Sequence, residues 1–145
     1  MKILLINGAN LNMLGIREPE KYGGKSLKEI EQAVIDKGKE LGADVDVYQS
    51  NIEGEIVEKI QSALNNYNGI LINAGGYTHT SVVIRDAIAA VQIPTIEVHM
   101  TNIHAREEFR HTSLLSGVCK AIIAGFGEDS YILALEGLIS SLNKN

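Results

Sequence analysis

The chain has 145 residues, of which 45% are hydrophobic and 21% charged, with a formal net charge of −5. This composition predicts one globular domain over residues 1–145, and the lack of a Lys/Arg cluster excludes nucleic acid or an acidic membrane surface as the main partner. The single cysteine, Cys119, excludes an intrachain disulfide, and we expect a cytoplasmic protein because no apolar run is long enough for a signal core or a membrane span.

Five segments of strand length recur along the chain, with helix-period segments between them. Four are continuous apolar runs, whereas the second alternates polar and apolar residues and therefore predicts an edge strand. In chain order the strand segments are 3–6, 43–48, 69–72, 94–98 and 121–124. The apolar stripes of the helical segments are Leu27, Ile30, Val34 and Leu41; Ile56, Ile60 and Leu64; Ile84, Ala87, Ile88 and Val91; and Tyr131, Leu135, Leu138 and Leu142.

This alternation predicts an α/β fold, specifically a single-domain, flavodoxin-like, doubly wound sheet of five parallel strands in the order 2-1-3-4-5. Ligands of such sheets bind beyond the carboxyl ends of the strands. The segments that follow the strands carry amides, hydroxyls, glycines and two imidazoles. They are 7–10, 49–51, 73–79 and 99–102.

These strand ends predict a polar pocket for a small oxyanion. Its neutral donors and acceptors would be Asn10, Asn73 and Thr101, and its imidazoles would belong to His79 and His99. The guanidinium groups of Arg17, Arg106 and Arg110 would lie nearby. Backbone N–H groups at the start of a helix after Thr101 or Asn102 would bind a carboxylate.

The sequence gives weaker support for other kinds of site. No G-x-G-x-x-G or P-loop follows the first strand, which argues against a nucleotide phosphate site. Glu97 and His99 point to one face of a strand and could ligate a metal, but a catalytic metal needs a third ligand, so we favour a hydrogen bond that fixes the tautomer of His99. A triad of Ser81, His79 and Asp86 lacks the expected turn around the serine.

One loop, "REPEKYGG" at 17–24, contains a tyrosine without apolar neighbours in the sequence. A phenol is a poor base at neutral pH unless a positive charge lowers its pKa. Arg17 lies five residues from Tyr22 in this loop. If the loop closes over the pocket, with Gly23 and Gly24 as its hinge, Tyr22 could remove a proton from a bound substrate.

Four stretches, in the order found in the family, resemble the type II 3-dehydroquinate dehydratases of the shikimate pathway, and the resemblance covers nearly the whole chain. They are "NGANLNMLGIREPEKYG", "YQSNIEGEIVEKI", "NAGGYTHTSVVIRDAI" and "VHMTNIHAREEFRHTS". The resemblance implies anti elimination of water from 3-dehydroquinate through an enolate, without metal, Schiff base or other cofactor. The alternative is a non-catalytic member of the fold that binds a small carboxylate.

The resemblance also implies roles for individual residues. Tyr22 is the base, Arg17 lowers its pKa, His99 is the acid, Glu97 orients His99, and Asn10 holds a water that stabilises the enolate. Asn73 and the backbone at Met100 and Thr101 bind the substrate's carboxylate and hydroxyls, and His79 and Arg110 contact its ring hydroxyls. Asp86 belongs to a neighbouring subunit's site, because the family assembles as homododecamers built from trimers.

Four positions depart from the pattern of the family. Prolines are replaced by Ala9 and Ala74, an alanine by Gly76, and a histidine by Ile52. None of these changes removes a catalytic group. Without the two prolines the pocket loops lose preorganisation, so we expect weaker substrate binding than in a typical member.

Overall fold

The computed structural model describes residues 1–16 and 24–144. These residues form a five-stranded sheet in the order β2-β1-β3-β4-β5, and every neighbouring pair is parallel, as predicted. The strands are β1 (Lys2–Asn7), β2 (Asp44–Gln49), β3 (Gly69–Asn73), β4 (Thr95–His99) and β5 (Ala121–Ala124). The α-helices in the described part are α1 (Leu27–Glu40), α2 (Glu53–Ser62), α3 (Val82–Val91) and α4 (Asp129–Asn143).

Helices α1 and α4 cover one face of the sheet, and α2 and α3 cover the other. The alternating side chains of β1 divide between them, because successive residues of a strand point to opposite faces. Ile3 and Leu5 belong to the core beneath α1 and α4, while Leu4 and Ile6 belong to the core beneath α2 and α3. All four are fully buried, which explains the continuous apolar run of this central strand.

The helix starts differ in their capping. Ser26 and Glu29 form a complete capping box at α1, and the Ser81 side chain accepts from the backbone N–H of Ile84 at α3. Ile52 precedes α2 without a side-chain cap and is 58% exposed. The departure from the family pattern at Ile52, an isoleucine in place of a histidine, therefore affects a helix terminus on the surface.

The assignment of two residues to the predicted apolar stripes of the helices is wrong. Leu41 follows the end of α1 and Leu64 follows the end of α2, and both are exposed. The helical spacing of apolar residues in the sequence continues past the end of each helix. A turn at that point places Leu41 and Leu64 outside the helix. Gly42, with φ +79°, makes that turn after α1.

The edge strands also differ from each other. The alternation in β2 correctly predicts an edge strand, whereas β5 is an edge strand with an uninterrupted apolar sequence. Ile122 of β5 is 41% exposed. A continuous apolar run therefore does not by itself place a strand at the sheet centre.

The loops that follow β1 and β3 cross in direct contact. Gly8 N–H donates to the Asn73 carbonyl over 2.7 Å, and a Cβ on Gly8 would lie 2.4 Å from the Ala74 carbonyl oxygen. Gly75 adopts φ +63°, and a Cβ there would lie 2.7 Å from the Ala9 carbonyl oxygen. Only glycine allows the two backbones this approach.

Across the described residues we find no helix that combines the length and the apolar character needed to span a membrane.

Candidate active site

A polar cavity of about 260 Å³ opens at the carboxyl ends of β1, β3 and β4. This is where a doubly wound sheet is expected to bind its ligand. Eight of the residues predicted for the pocket line it: Asn10, Asn73, His79, His99, Met100, Thr101, Arg106 and Arg110. Parallel strands bring these residues together although they are spread over 100 positions of the sequence.

The cavity ends at an imidazole backed by a buried carboxylate. His99 Nε2 lies 2.5 Å from Glu97 Oε2, and Glu97 is fully buried. Ser113 Oγ lies 2.9 and 3.0 Å from the two carboxylate oxygens, and Ser116 Oγ donates to Oε1 over 2.6 Å. Both oxygens of Glu97 are thus hydrogen-bonded, as a buried charge requires.

These contacts favour the ionised form of Glu97. Burial alone would raise the pKa of this carboxyl, but the hydrogen bonds from His99 and the two serines outweigh it and hold the pKa below its ordinary value of 4.5. A carboxylate accepts but cannot donate, so Nε2 of His99 carries the proton that lies between them. The pair therefore has the hydrogen-bonded arrangement predicted from the sequence.

The second imidazole depends on the same chain segment. His79 Nδ1 donates to the carbonyl of Thr112 over 2.8 Å, so its Nε2 is left for the cavity. The His79 and His99 rings are 6.4 Å apart and nearly parallel, with 20° between their planes. Residues 112–116, which we call the histidine support, thus orient both imidazoles through a carbonyl and two serine hydroxyls.

The histidine support is itself fixed to the rest of the fold. Leu114 N–H donates to the Thr78 carbonyl over 2.8 Å, and Arg85 donates to the Leu114 carbonyl over 2.7 Å. Ser113 Oγ also accepts from two backbone N–H groups, those of Leu115 and Ser116. The Ser113 hydroxyl is therefore held in place before any ligand binds.

Asn10 has an unusual backbone at the opposite side of the cavity. Its φ is +71°, a conformation that asparagine tolerates better than most residues. Its backbone N–H donates to Asn51 Oδ1 over 2.9 Å, and Gln49 Nε2 donates to the same oxygen over 3.0 Å. The loop after β2 therefore holds the Asn10 backbone at the cavity rim.

The cationic side of the cavity is formed by residues 103–110. Arg106 Nη1 donates to Thr101 Oγ1 over 3.3 Å, and Arg110 Nε donates to Glu107 Oε1 over 3.1 Å. A helix does begin after Asn102, as predicted, but it is not a regular α-helix. Three-residue 3₁₀ helices, Ile103–Ala105 and Glu108–Arg110, replace it, and such short helices have only a small dipole.

Two predicted site residues in the described part of the chain, Asp86 and Glu97, do not line this cavity. Glu97 lies behind His99. Asp86 is exposed on α3. Arg17 and Tyr22 lie outside the described residues, so their predicted roles stay predictions.

Sequence reasoning missed the residues behind the cavity. The sequence pattern does not single out Ser113 and Ser116, and it assigns Tyr131 only to an apolar stripe. The available signals were indirect: a buried carboxylate needs more donors than one histidine supplies, and a buried tyrosine needs a partner for its hydroxyl.

No group of three or more His, Cys, Asp or Glu side chains within residues 1–16 and 24–144 is arranged to hold a metal ion. His104 and His111 approach each other, with ring centroids 5.8 Å apart, but His111 Nε2 lies 3.0 Å from the Arg106 carbonyl. That contact makes the pair part of the local loop structure.

Comparison with known proteins agrees with this geometry. The family model described as "Dehydroquinase class II" matches residues 1–139. The chain belongs to the class II dehydroquinase family. The resemblance inferred from the sequence is therefore confirmed, and the fold is that of the class II dehydroquinases.

Relatives of this class II dehydroquinase match it over nearly their full lengths. The 3-dehydroquinate dehydratase of Prochlorococcus marinus (strain NATL1A) is 51% identical over 144 residues, or 99% of each chain. The catabolic 3-dehydroquinase of Debaryomyces hansenii is 58% identical over 136 residues, covering 93% of this chain and 94% of the relative. The crystal structure of type II dehydroquinase from Butyrivibrio crossotus DSM 2876 superposes with a TM-score of 0.93 at 48% identity, covering 95% of this chain and 97% of the other.

Proposed function

We propose that the protein dehydrates 3-dehydroquinate to 3-dehydroshikimate as one catalytic domain of the shikimate pathway. Membership of the class II family and the names of its relatives support this activity. The observation that carries the proposal is the polar cavity that ends at His99, with a buried, serine-bound Glu97 behind it. A histidine held in this way suits proton transfer at a small molecule.

In the proposed mechanism, Tyr22 removes the proton α to the substrate ketone after Arg17 has lowered the pKa of its phenol. The electron pair of the broken C–H bond forms an enolate. Its collapse expels the β-hydroxyl group, which leaves as water with a proton from His99. The ionised Glu97 supports this step, because it stabilises the positive charge of the protonated imidazole before the proton is transferred. No metal or cofactor takes part in these steps.

The neutral groups of the cavity would bind and stabilise the substrate. Asn10 would hold a water that donates to the enolate oxygen, as oxyanion stabilisation requires. Asn73 and the backbone at Met100 and Thr101 would contact the carboxylate and hydroxyls, and His79 and Arg110 would contact the remaining ring hydroxyls. All five residues line the cavity, which supports this assignment.

We also propose a cytoplasmic homododecamer built from trimers, with Asp86 completing the site of a neighbouring subunit. The exposure of Asp86 outside its own cavity supports that role. Measuring the mass of the purified assembly by light scattering tests it. A monomer that retains full turnover would contradict it.

The activity is tested by following the ultraviolet absorbance of the enone product after 3-dehydroquinate is added. Wild-type protein should turn over, and Tyr22→Phe and Arg17→Ala should lose most activity, roughly 10²-fold or more, because a catalytic base or its activator is absent. Tyr48→Phe, a hydroxyl deletion on β2, should leave turnover unchanged.

The outcomes separate the two candidate functions. Retained turnover in Tyr22→Phe would exclude this residue as the base. Wild-type protein that binds 3-dehydroquinate in calorimetry but forms no enone would instead be the non-catalytic carboxylate-binding member of the fold.

A further inference from the structure

Two asparagines end neighbouring strands and share one buried partner. Asn7 and Asn73 are aligned in the register of β1 and β3, so their side chains point to the same face of the sheet. Tyr131 of α4 reaches both. Its hydroxyl donates to Asn7 Oδ1 over 2.6 Å and accepts from Asn73 Nδ2 over 2.8 Å.

The direction of these hydrogen bonds follows from the number of available protons. The hydroxyl has one proton, which is committed to Asn7, so the hydroxyl can only accept from Asn73. Asn73 Oδ1 accepts in turn from the Gly75 N–H over 3.1 Å. The Asn73 carboxamide is therefore held at both ends, and one N–H and one lone pair remain for the cavity that it lines.

Water cannot replace this arrangement. Tyr131 and Asn7 are fully buried, and Asn73 is 4% exposed. Burial raises the pKa of Tyr131, so its hydroxyl stays protonated and continues to donate across the neutral range. Without the hydroxyl, Asn7 Oδ1 and Asn73 Nδ2 would both be left without this partner in an environment that excludes solvent.

We propose that Tyr131 is a positioning residue for substrate binding, which acts by fixing the orientation of the Asn73 carboxamide at the cavity wall. This inference rests on the proposed function, in which Asn73 contacts the substrate. Tyr131 does not line the cavity and takes no part in proton transfer. It connects the C-terminal helix to the binding of the substrate.

The test is steady-state kinetics with 3-dehydroquinate for wild type and Tyr131→Phe. We expect KM to rise about tenfold, while kcat stays within about twofold, because a binding contact is misoriented and the chemical groups are not. A purely structural role would lower the folded fraction and the apparent kcat without changing KM. An unchanged KM in a folded variant would overturn the inference.

A double-mutant cycle tests whether the effect passes through Asn73. If it does, Tyr131→Phe combined with Asn73→Ala should show the KM of Asn73→Ala alone, since the orienting contact has no remaining target. Additive effects of the two substitutions on KM would overturn the proposal.

The matched control is Tyr67→Phe. Tyr67 donates an equally short hydrogen bond, 2.6 Å, to Asp46 Oδ2, away from the residues that line the cavity. Its loss should leave KM unchanged. If Tyr131→Phe fails to fold, Asn7→Ala provides the same test. It removes the acceptor that orients the Tyr131 hydroxyl, and it leaves the Tyr131 ring in the core.

The wild-type measurement distinguishes this inference from the proposed function. Absence of turnover in wild type means that the proposed function has failed. Turnover in wild type, with the wild-type KM in both Tyr131→Phe and Asn7→Ala, means that only the positioning role has failed.

Discussion

The end of β4 and the ends of β1 and β3 meet at one cavity but are held by different kinds of contact. At β4 the buried charge of Glu97 is fixed by side-chain donors from a distant segment. At β1 and β3 the loops are fixed by backbone contact, with Gly8 packed against Ala74. We infer that substitutions near the end of β4 change the protonation of Glu97, whereas substitutions near the ends of β1 and β3 change the shape of the cavity.

The largest expected effect tests the backbone contact. Gly8→Ala would place a Cβ 2.4 Å from the Ala74 carbonyl oxygen and 2.6 Å from its carbon, and a backbone cannot move aside as a side chain can. We expect a loss of about 3 kcal/mol in the free energy of unfolding, because the overlap must be relieved by displacing a loop. Urea unfolding at fixed protein concentration measures it.

The control for Gly8→Ala lies in the adjoining loop. A Cβ on Gly76 meets no atom within 4 Å, so Gly76→Ala should leave stability unchanged or raise it by up to about 1 kcal/mol. Equal effects of the two substitutions would show that the close approach of the loops does not determine stability here.

The second prediction tests the charge at β4. Ser116→Ala removes a donor that favours the ionised form of Glu97, so the pKa of Glu97 should rise. A lowered carboxyl pKa stabilises the fold above the ordinary value of 4.5, and this contribution disappears as pH falls through the folded-state pKa. The variant should therefore be less stable by about 1.5 kcal/mol at pH 7, and the difference should shrink below about pH 4.5.

A buried serine that bonds no carboxylate is the matched control. Ser130 Oγ accepts from the Phe126 N–H. Ser130→Ala should therefore lower the free energy of unfolding by an amount that does not change with pH. Unfolding curves between pH 3.5 and 7, roughly the range over which a carboxyl titrates, supply the comparison. A pH-independent loss in Ser116→Ala would contradict the proposed role of the serine.

Sequence reasoning predicted the fold and the cavity because both depend on local pattern. Apolar runs located the strands, and parallel topology then placed Asn73 and His99 at one edge of the sheet. The serines that bind Glu97 are 16 and 19 residues away from it, in a segment without helical or strand periodicity. Such contacts depend on tertiary packing, which no local pattern encodes.

Tyr131 shows a different limit. Its place in the apolar stripe of α4 correctly predicted that it is buried in the core. The stripe could not show that its hydroxyl reaches Asn7 and Asn73, because periodicity defines a face of the helix but not the atoms opposite that face.

The smallest expected effect concerns preorganisation of the β3 loop. Ala74 has φ −78°, which suits proline, and its N–H makes none of the turn or loop hydrogen bonds in the described residues. Ala74→Pro should therefore raise the free energy of unfolding by about 0.4–1 kcal/mol by restricting the unfolded chain. A more rigid loop should also lower KM for 3-dehydroquinate by roughly twofold.

Measuring KM for Ala9→Pro beside Ala74→Pro extends this test to the other loop. A lower KM in either variant would support the inference that the backbone of the loops after β1 and β3 determines the shape of the cavity. Unchanged or higher KM in both would count against it, and against the expectation that the missing prolines weaken binding.

The histidine support orients both imidazoles of the cavity. Thr112 orients His79, and Ser113 and Ser116 bind Glu97, the partner of His99. An inserted or deleted residue there would disturb both imidazoles in a single event. Loop grafting aimed at new substrates should therefore preserve the length of this segment and vary the loop at Gly76, which lines the cavity and where a Cβ would meet no atom within 4 Å.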